Sequence, residues 1–130
     1  MEGKRITVFV AAVLLALAAA SCSRKEPGSP FRAVVDRPVQ LEVDNNNFLD
    51  VNVYVVASGS SVRLGSVGGK RMREFTLDPR RVSMTGGLQF LVDPIGGTQT
   101  YLSPTVYPFR GATVELNVGA FIEKSFVSMR

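Results

Sequence analysis

The sequence predicts an all-β fold: a small antiparallel β-sandwich of seven or eight strands that follows a cleaved N-terminal signal helix. Beyond residue 32, valine far outnumbers alanine, and the apolar residues fall in short runs that alternate with polar ones. Turn residues separate these runs at intervals of roughly ten residues, which is typical of a sandwich. Because a single core uses roughly 100 to 200 residues, a chain of 130 residues indicates one folded domain.

Residues 1–21 have the layout of a secretory signal peptide. Lys4 and Arg5 precede an uncharged and almost wholly apolar run over residues 6–20. A membrane-spanning helix needs about 20 apolar residues. Because the run is shorter than that, we expect cleavage rather than a permanent membrane span.

The only cysteine, Cys22, follows the small residues Ala18-Ala19-Ala20-Ser21. This segment resembles the lipobox of bacterial lipoproteins, in which such a cysteine is acylated and becomes the mature N-terminus; that family usually has Leu at the position of Ala19. The resemblance implies lipid attachment at Cys22 in the bacterial cell envelope, and Ser23 implies the outer membrane, facing the periplasm. A single cysteine cannot form an internal disulfide, which also favours lipidation. The alternative is an incidental cysteine after an ordinary signal peptide.

A charged segment with two prolines follows the cysteine and carries no apolar period. We interpret residues 22–32 as the lipidated cysteine and a flexible tether, and residues 33–130 as the β-sandwich domain. The tether would stand the domain off the lipid surface.

The first two predicted strands show the clearest alternation. Apolar residues alternate with polar ones over 39–43, and the Asx-rich run 44–47 ends that strand as a turn would. Alternation resumes over 49–55 and stops at the turn residues 57–60. The apolar faces of both strands should belong to the core.

The next two predicted strands are joined by a turn that contains two glycines. Alternation over 62–67 slips by one residue at Gly65, where a β-bulge would restore the inward direction. The glycine pair 68–69 turns the chain. The return strand, 71–77, carries arginines and apolar residues on one face and ends before a proline.

The last part of the chain predicts three or four further strands. One covers 88–92; the run 98–107 is interrupted by Pro104, so it indicates an edge strand or two short pieces. The final strands are expected at 114–118 and 126–130. Strand count and spacing look like the immunoglobulin-like or transthyretin-like sandwiches of bacterial envelope proteins, without the cysteine pair and tryptophan of antibody domains. A small closed barrel is the alternative fold.

Composition excludes much catalytic chemistry. The chain has no His, so it supplies neither the imidazole of a catalytic triad nor histidine ligands for zinc or haem. Paired carboxylates can catalyse hydrolysis without His, but Asp78 and Asp93 each precede a proline and are better explained as turn starters. We therefore predict a protein that is not an enzyme and needs no cofactor.

The segment 44–50 invites a calcium hypothesis because it is rich in Asp and Asn, whose oxygens are ligands for hard cations. However, Phe48, Leu49 and Val55 occupy positions at which an EF-hand loop needs an Asx residue, a glycine and a glutamate. The sequence therefore favours an Asx-rich turn without a metal.

The densest basic cluster is the candidate anion-binding site. It comprises Lys70, Arg71, Arg73, Arg80 and Arg81. Guanidinium groups bind phosphates and carboxylates bidentately, so lipid headgroups or anionic envelope polymers are the expected ligands. The alternative is a solvated edge strand that its charges keep from aggregating.

These features together predict a membrane-tethered envelope lipoprotein that acts as a non-catalytic binding or structural module, with an envelope protein or polymer as its partner. The alternative is a small-ligand or carbohydrate-binding lipoprotein that uses Tyr54, Tyr101 and Tyr107 together with loop glycines as a shallow site. The chain has a net charge of +4, and removal of the leader lowers it. A positive charge this small does not predict nucleic-acid binding.

Replacing Cys22 with alanine should release the protein from the membrane fraction, because the substitution removes the thiol to which the lipid would be attached. The measurement is fractionation of cells that express the wild-type or the Cys22→Ala chain, followed by immunoblotting. Equal retention of the two chains in the membrane fraction would contradict lipid attachment.

Overall fold

The structure, a computed structural model, describes residues 37–130. The predicted signal peptide, Cys22 and the predicted tether lie outside the described residues. Within 37–130 the chain forms eight strands and a 3-10 helix. They are β1 (Val39–Asn45), β2 (Val51–Ala57), β3 (Ser60–Val67), β4 (Arg71–Leu77), β5 (Gln89–Pro94), β6 (Tyr101–Leu102), β7 (Thr113–Val118), the 3-10 helix (Ile122–Lys124) and β8 (Phe126–Met129). No helix in this part of the chain is long and apolar enough to cross a membrane.

The strands form two four-stranded sheets packed as a sandwich, which confirms the predicted fold class. Sheet 1 has the strand order β4-β1-β7-β8, and sheet 2 has the order β3-β2-β5-β6. Because the two sheets stay separate, each with two edge strands, the closed-barrel alternative is wrong. Strand pairs are antiparallel except for β1 and β7, which run parallel at the centre of sheet 1.

The hydrophobic core lies between the inner faces of the two sheets. Every second residue of β1, β5 and β7 is buried, and so are alternate residues at the start of β2. Fully burying a valine or leucine side chain contributes about 1.5–3 kcal/mol to stability, so the predicted alternation supplies most of the driving force for stacking the sheets. The fully buried side chains of largest volume are Phe90, Leu41, Leu77, Leu88 and Leu116.

A β-bulge lies in β3, as predicted. The register between β2 and β3 shifts between Val53 and Tyr54, opposite Gly65. A Cβ atom at Gly65 would lie 2.9 Å from Cε1 of Phe75 in β4. Glycine at this position therefore lets the edge strand of sheet 2 approach the edge strand of sheet 1.

The proline-interrupted run 98–107 forms two short pieces, which confirms its prediction. β6 has only two residues and pairs with β5 at the edge of sheet 2. Farther along, Val106 makes an isolated bridge with Leu88. Pro104 lies between the two pieces, where no strand pairing needs the backbone N–H that proline lacks.

One buried polar side chain, that of Asn45 at the end of β1, joins three segments of the chain. Its Nδ2 donates to the carbonyls of Leu49 at 2.9 Å and Val67 at 3.2 Å. The same nitrogen donates to the carbonyl of Gly68 at 3.0 Å, and Oδ1 accepts the N–H of Asn47 at 3.0 Å. Because the whole amide is satisfied, its burial fixes the β1–β2 loop against the β3–β4 turn.

These hydrogen bonds correct one predicted strand limit. The sequence predicts that the second strand begins at Leu49, but β2 begins at Val51, and Leu49 lies in the loop with its side chain exposed. The N–H of Leu49 donates to Oδ1 of Asn47 at 2.9 Å, and its carbonyl accepts from Asn45. Hydrogen bonds to side chains thus satisfy the backbone groups that a longer strand would have paired with its neighbour.

The sandwich has two ends with different loops. The distal end comprises residues 46–50, 68–70, 95–100 and 119–125. The proximal end comprises Arg37, where the described chain begins, together with residues 58–59, 78–88 and 103–112. The parallel pairing of β1 and β7 places the segments that precede both strands at the proximal end.

The Asn45→Ala substitution should lower the free energy of unfolding by about 2–3 kcal/mol, because it leaves buried backbone groups without their partners. Asn46→Ala is the matched control. The Asn46 amide is partly exposed and bonds to Asp44 and Asn117 at 3.1 and 3.4 Å, so its loss should cost less than about 1 kcal/mol. Urea denaturation followed by circular dichroism measures both. Equal effects of the two substitutions would contradict the role given to Asn45.

Candidate anion-binding site

A cavity at the proximal end has a volume of about 460 Å³ and is lined by four arginines. They are Arg37, Arg80, Arg81 and Arg110. The buried side chain of Val39 and the half-buried side chain of Met84 supply apolar parts of the lining. We call this cavity with its four arginines the arginine pocket.

A tight turn after β4 positions Arg80 and Arg81. Oδ1 of Asp78 accepts the N–H of Arg80 at 2.8 Å, and the Asp78 carbonyl accepts the N–H groups of Arg81 and Val82 at 2.9 and 3.0 Å. Val82 is buried in the core. The two arginines are therefore held on a short turn between two buried residues, Leu77 and Val82.

A second turn, before β7, positions Arg110 beside Arg37. The N–H of Ala112 donates to the Phe109 carbonyl at 3.0 Å, and Gly111 has a φ of +82°, a conformation that glycine adopts without strain. A Cβ atom at Gly111 would lie 3.3 Å from Cδ of Arg37. The stem of Arg37 thus lies against this turn, which brings together two arginines that are far apart in the sequence.

The arginine pocket concentrates positive charge. Among residues 37–130, no acidic side chain lines it, and Arg37, Arg80 and Arg81 form no ion pair with another described residue. Arg130 forms ion pairs with Glu42 and Glu115 on the outer face of sheet 1. Guanidinium groups that converge on one cavity repel one another, and an anion between them relieves this repulsion.

The structure divides the predicted basic cluster between the two ends. Lys70 and Arg71 lie at the start of β4, and Arg80 and Arg81 follow its end. The seven residues of β4 span roughly 20 Å at about 3.3 Å per residue. Sequence reasoning therefore placed five basic residues at one site, whereas the structure brings only two of them together. Their partners in the pocket are Arg37 and Arg110, which sequence reasoning missed.

Of the three basic residues that lie outside the arginine pocket, Lys70 and Arg73 have structural contacts. Nζ of Lys70 donates to the Asn46 carbonyl and lies 4.2 Å from the centre of the Phe48 ring. Arg73 donates to the Ser66 carbonyl at 2.8 Å, and its guanidinium carbon lies 5.0 Å from the centre of the Phe75 ring. These contacts fit the alternative interpretation, in which basic side chains cover the edge of the sandwich.

The Asx-rich segment 44–50 forms a hydrogen-bonded turn, as predicted. Besides the contacts of Asn45, Oδ1 of Asp50 accepts the N–H of Gly69 at 2.9 Å. Gly69 is required here, because a Cβ atom would lie 2.2 Å from the Phe48 carbonyl oxygen. Residues 37–130 contain no group of three acidic or Cys side chains placed to hold a metal ion.

The two proline-preceding carboxylates lie at opposite ends of the sandwich. Asp78 starts the turn after β4, as predicted. Asp93 is instead part of β5, where it pairs with Asn52 of β2, and the turn that follows starts at Pro94, whose carbonyl accepts the N–H of Gly97 at 3.1 Å. The predicted turn is therefore present, but it starts one residue after Asp93, because β2 offers a partner strand that extends β5 through Pro94.

The three tyrosines do not form a common groove. Tyr54 lies in β2 opposite Leu91, Tyr101 lies in the edge strand β6, and Tyr107 is exposed at the proximal end. Tyr101 packs against the core, and desolvation by this burial raises the pKa of its phenol. The shallow tyrosine site of the alternative hypothesis is therefore absent from the described part of the chain.

Comparisons with known proteins give no family for this chain. No family model matches the sequence, and no curated protein matches it. Among solved structures, it is similar to a protein from Eubacterium rectale determined by NMR, with a TM-score of 0.45 and 13% sequence identity. That similarity covers 72% of this chain and 88% of the other chain. A likeness of this size identifies neither a family nor a function, so the site must be interpreted from its own residues.

Proposed function

We propose that this protein is a lipid-anchored protein of the bacterial cell envelope whose β-sandwich is a non-catalytic binding module, and that the arginine pocket is its binding element. The lipobox-like sequence that ends at Cys22 supports the anchor. The observation that carries the binding function is the convergence of Arg37, Arg80, Arg81 and Arg110 on one cavity without an acidic side chain among the described lining residues.

The ligand class follows from the chemistry of the pocket. A guanidinium group is planar and presents its N–H donors as a fork that matches two oxygens of a phosphate or carboxylate. The cavity of about 460 Å³ has room for a group that carries more than one such anion. We therefore propose that the ligand bears phosphate or carboxylate groups and contacts at least two of the arginines.

The lining supports binding rather than a reaction. Besides the arginines and the apolar residues, it contains the hydroxyl groups of Ser83 and Thr85. A guanidinium group stays protonated in proteins and does not serve as a general base, and a hydroxyl group needs such a base to become a nucleophile. The proposal therefore involves no covalent step.

Pyrophosphate should stabilise the folded protein, because it supplies two adjacent anionic groups that bind the folded state and not the unfolded chain. At ten times its Kd, such a ligand stabilises by about 1.4 kcal/mol, which corresponds to a rise in Tm of about 6–10 °C for a domain of this size. The measurement is thermal unfolding followed by circular dichroism, with sodium chloride added to keep the ionic strength constant.

A double variant, Arg80→Ala with Arg81→Ala, should lose this stabilisation. The matched control is Arg71→Ala with Lys124→Ala, which removes the same charge from exposed positions at the distal end. If pyrophosphate raises the Tm of both double variants equally, its effect comes from overall charge, and the pocket is not the binding element.

A further inference from the structure

We infer that the proximal end is a membrane-docking surface, which seats the sandwich on anionic lipid headgroups of the membrane that holds the Cys22 lipid. The inference rests on the proposed lipid anchor and names the ligand of the arginine pocket. It assigns the pocket to phosphates that are part of a lipid surface, together with two exposed aromatic side chains beside it.

The position of the chain's first described residue favours this end. Arg37 lines the arginine pocket, so the polypeptide that leads back to Cys22 joins the described part of the sandwich at the proximal end. The fifteen residue steps from Cys22 to Arg37 span at most about 55 Å when fully extended. The proximal end can therefore lie on the bilayer with this segment far from fully extended, whereas docking of the distal end would use roughly 20 Å of the reach to pass along the strands.

Two exposed aromatic residues accompany the arginines. Tyr107 and Phe109 are 69% and 68% exposed, on either side of Pro108, which lines the arginine pocket. Neither ring belongs to the core of the sandwich. Aromatic rings with adjacent cations are the side chains that settle at the boundary between headgroups and acyl chains.

The aromatic segment is packed against the loop that carries two of the arginines. A Cβ atom at Gly87 would lie 2.5 Å from Cγ2 of Thr105 and 2.8 Å from Cε1 of Tyr107. Gly87, with a φ of +80°, thus allows the 103–112 segment to lie directly on the 78–88 loop. The arginines and the aromatic rings therefore form one continuous surface.

The distal end has a different charge pattern. It also exposes aromatic side chains, since Phe48 and Phe121 are 79% and 70% exposed. However, the exposed carboxylates of Asp50 and Glu123 lie in the same loops, and the Lys70 ammonium covers the Phe48 ring. In the distal loops these two carboxylates stand against Lys70 and Lys124, whereas the proximal loops set one exposed carboxylate, that of Asp78, against the four arginines of the pocket. Anionic headgroups are therefore attracted more strongly to the proximal end.

The test uses the absence of tryptophan from the chain. Phe109→Trp places the only tryptophan of the chain at the proximal end, where its emission is excited selectively over that of the tyrosines, and Phe121→Trp places it at the distal end as the matched control. Both full chains are expressed with their leader, purified in detergent and reconstituted into vesicles whose acyl chains carry bromine, which quenches nearby tryptophan. One set of vesicles is phosphatidylcholine, and the other is a mixture of phosphatidylcholine and phosphatidylglycerol.

In the mixed vesicles, the Phe109→Trp variant should lose about half of its emission and shift to shorter wavelength, as expected of an aromatic ring at the acyl boundary. The Phe121→Trp variant should keep its emission. Quenching of the Phe109→Trp variant should be weaker in phosphatidylcholine alone, and it should also weaken when Arg80→Ala and Arg81→Ala are added. Thermal unfolding in detergent checks that each variant is folded.

Three outcomes would overturn the docking inference. Equal quenching of the two tryptophans would show no preferred orientation, and stronger quenching of the Phe121→Trp variant would show that the distal end docks. Equal quenching in both lipid compositions would show that anionic headgroups are not recognised. If the protein floats with the vesicles in these cases, the lipid anchor stands and only the docking fails. If it does not float with them, the anchor fails as well.

Discussion

The Asn45 amide is the interaction on which the arrangement of the two sheets depends. It lies fully buried at the end of a central strand of sheet 1, and it bonds to the backbone of the β1–β2 loop and of the β3–β4 segment. Both of these segments pass from one sheet to the other. Hydrophobic contact between the sheets is non-directional, so it does not by itself fix how far one sheet slides over the other. A satisfied buried amide does fix this offset, because any slide breaks several hydrogen bonds at once.

The end of the sandwich opposite to Asn45, the proximal end, carries the proposed binding site. Its arginines stand on turns that end in buried residues, Val82 on one side and Ala112 on the other. Such turns hold the charged groups close together around one cavity. The repulsion between them destabilises the domain slightly, and the well-packed core offsets this cost.

The alternation of apolar residues was sufficient to predict most of the strands, and the phase slip at Gly65 was sufficient to predict the bulge. It was not sufficient for the site. Arg80 and Arg81 are neighbours in sequence and were found, but Arg37 and Arg110 meet them only because β1 and β7 pair in parallel. Parallel pairing joins distant segments and leaves no local turn signal. The role of Asn45 could not be predicted for a similar reason. The Asx-rich sequence around Asn45 indicates a turn, whereas the burial of its side chain depends on the stacking of the sheets.

The parallel pair also determines when the pocket can exist. Gln40 lies opposite Thr113, so the strands that carry the two sides of the pocket meet only after nearly the whole domain has been synthesised. Closing so long a loop is slow, because its entropy must be lost before the contacts are gained. A nascent chain therefore has separate arginines but no pocket, and the anion binding proposed for the pocket requires the completed fold. Formation of the last strand pairing and formation of the pocket are one event.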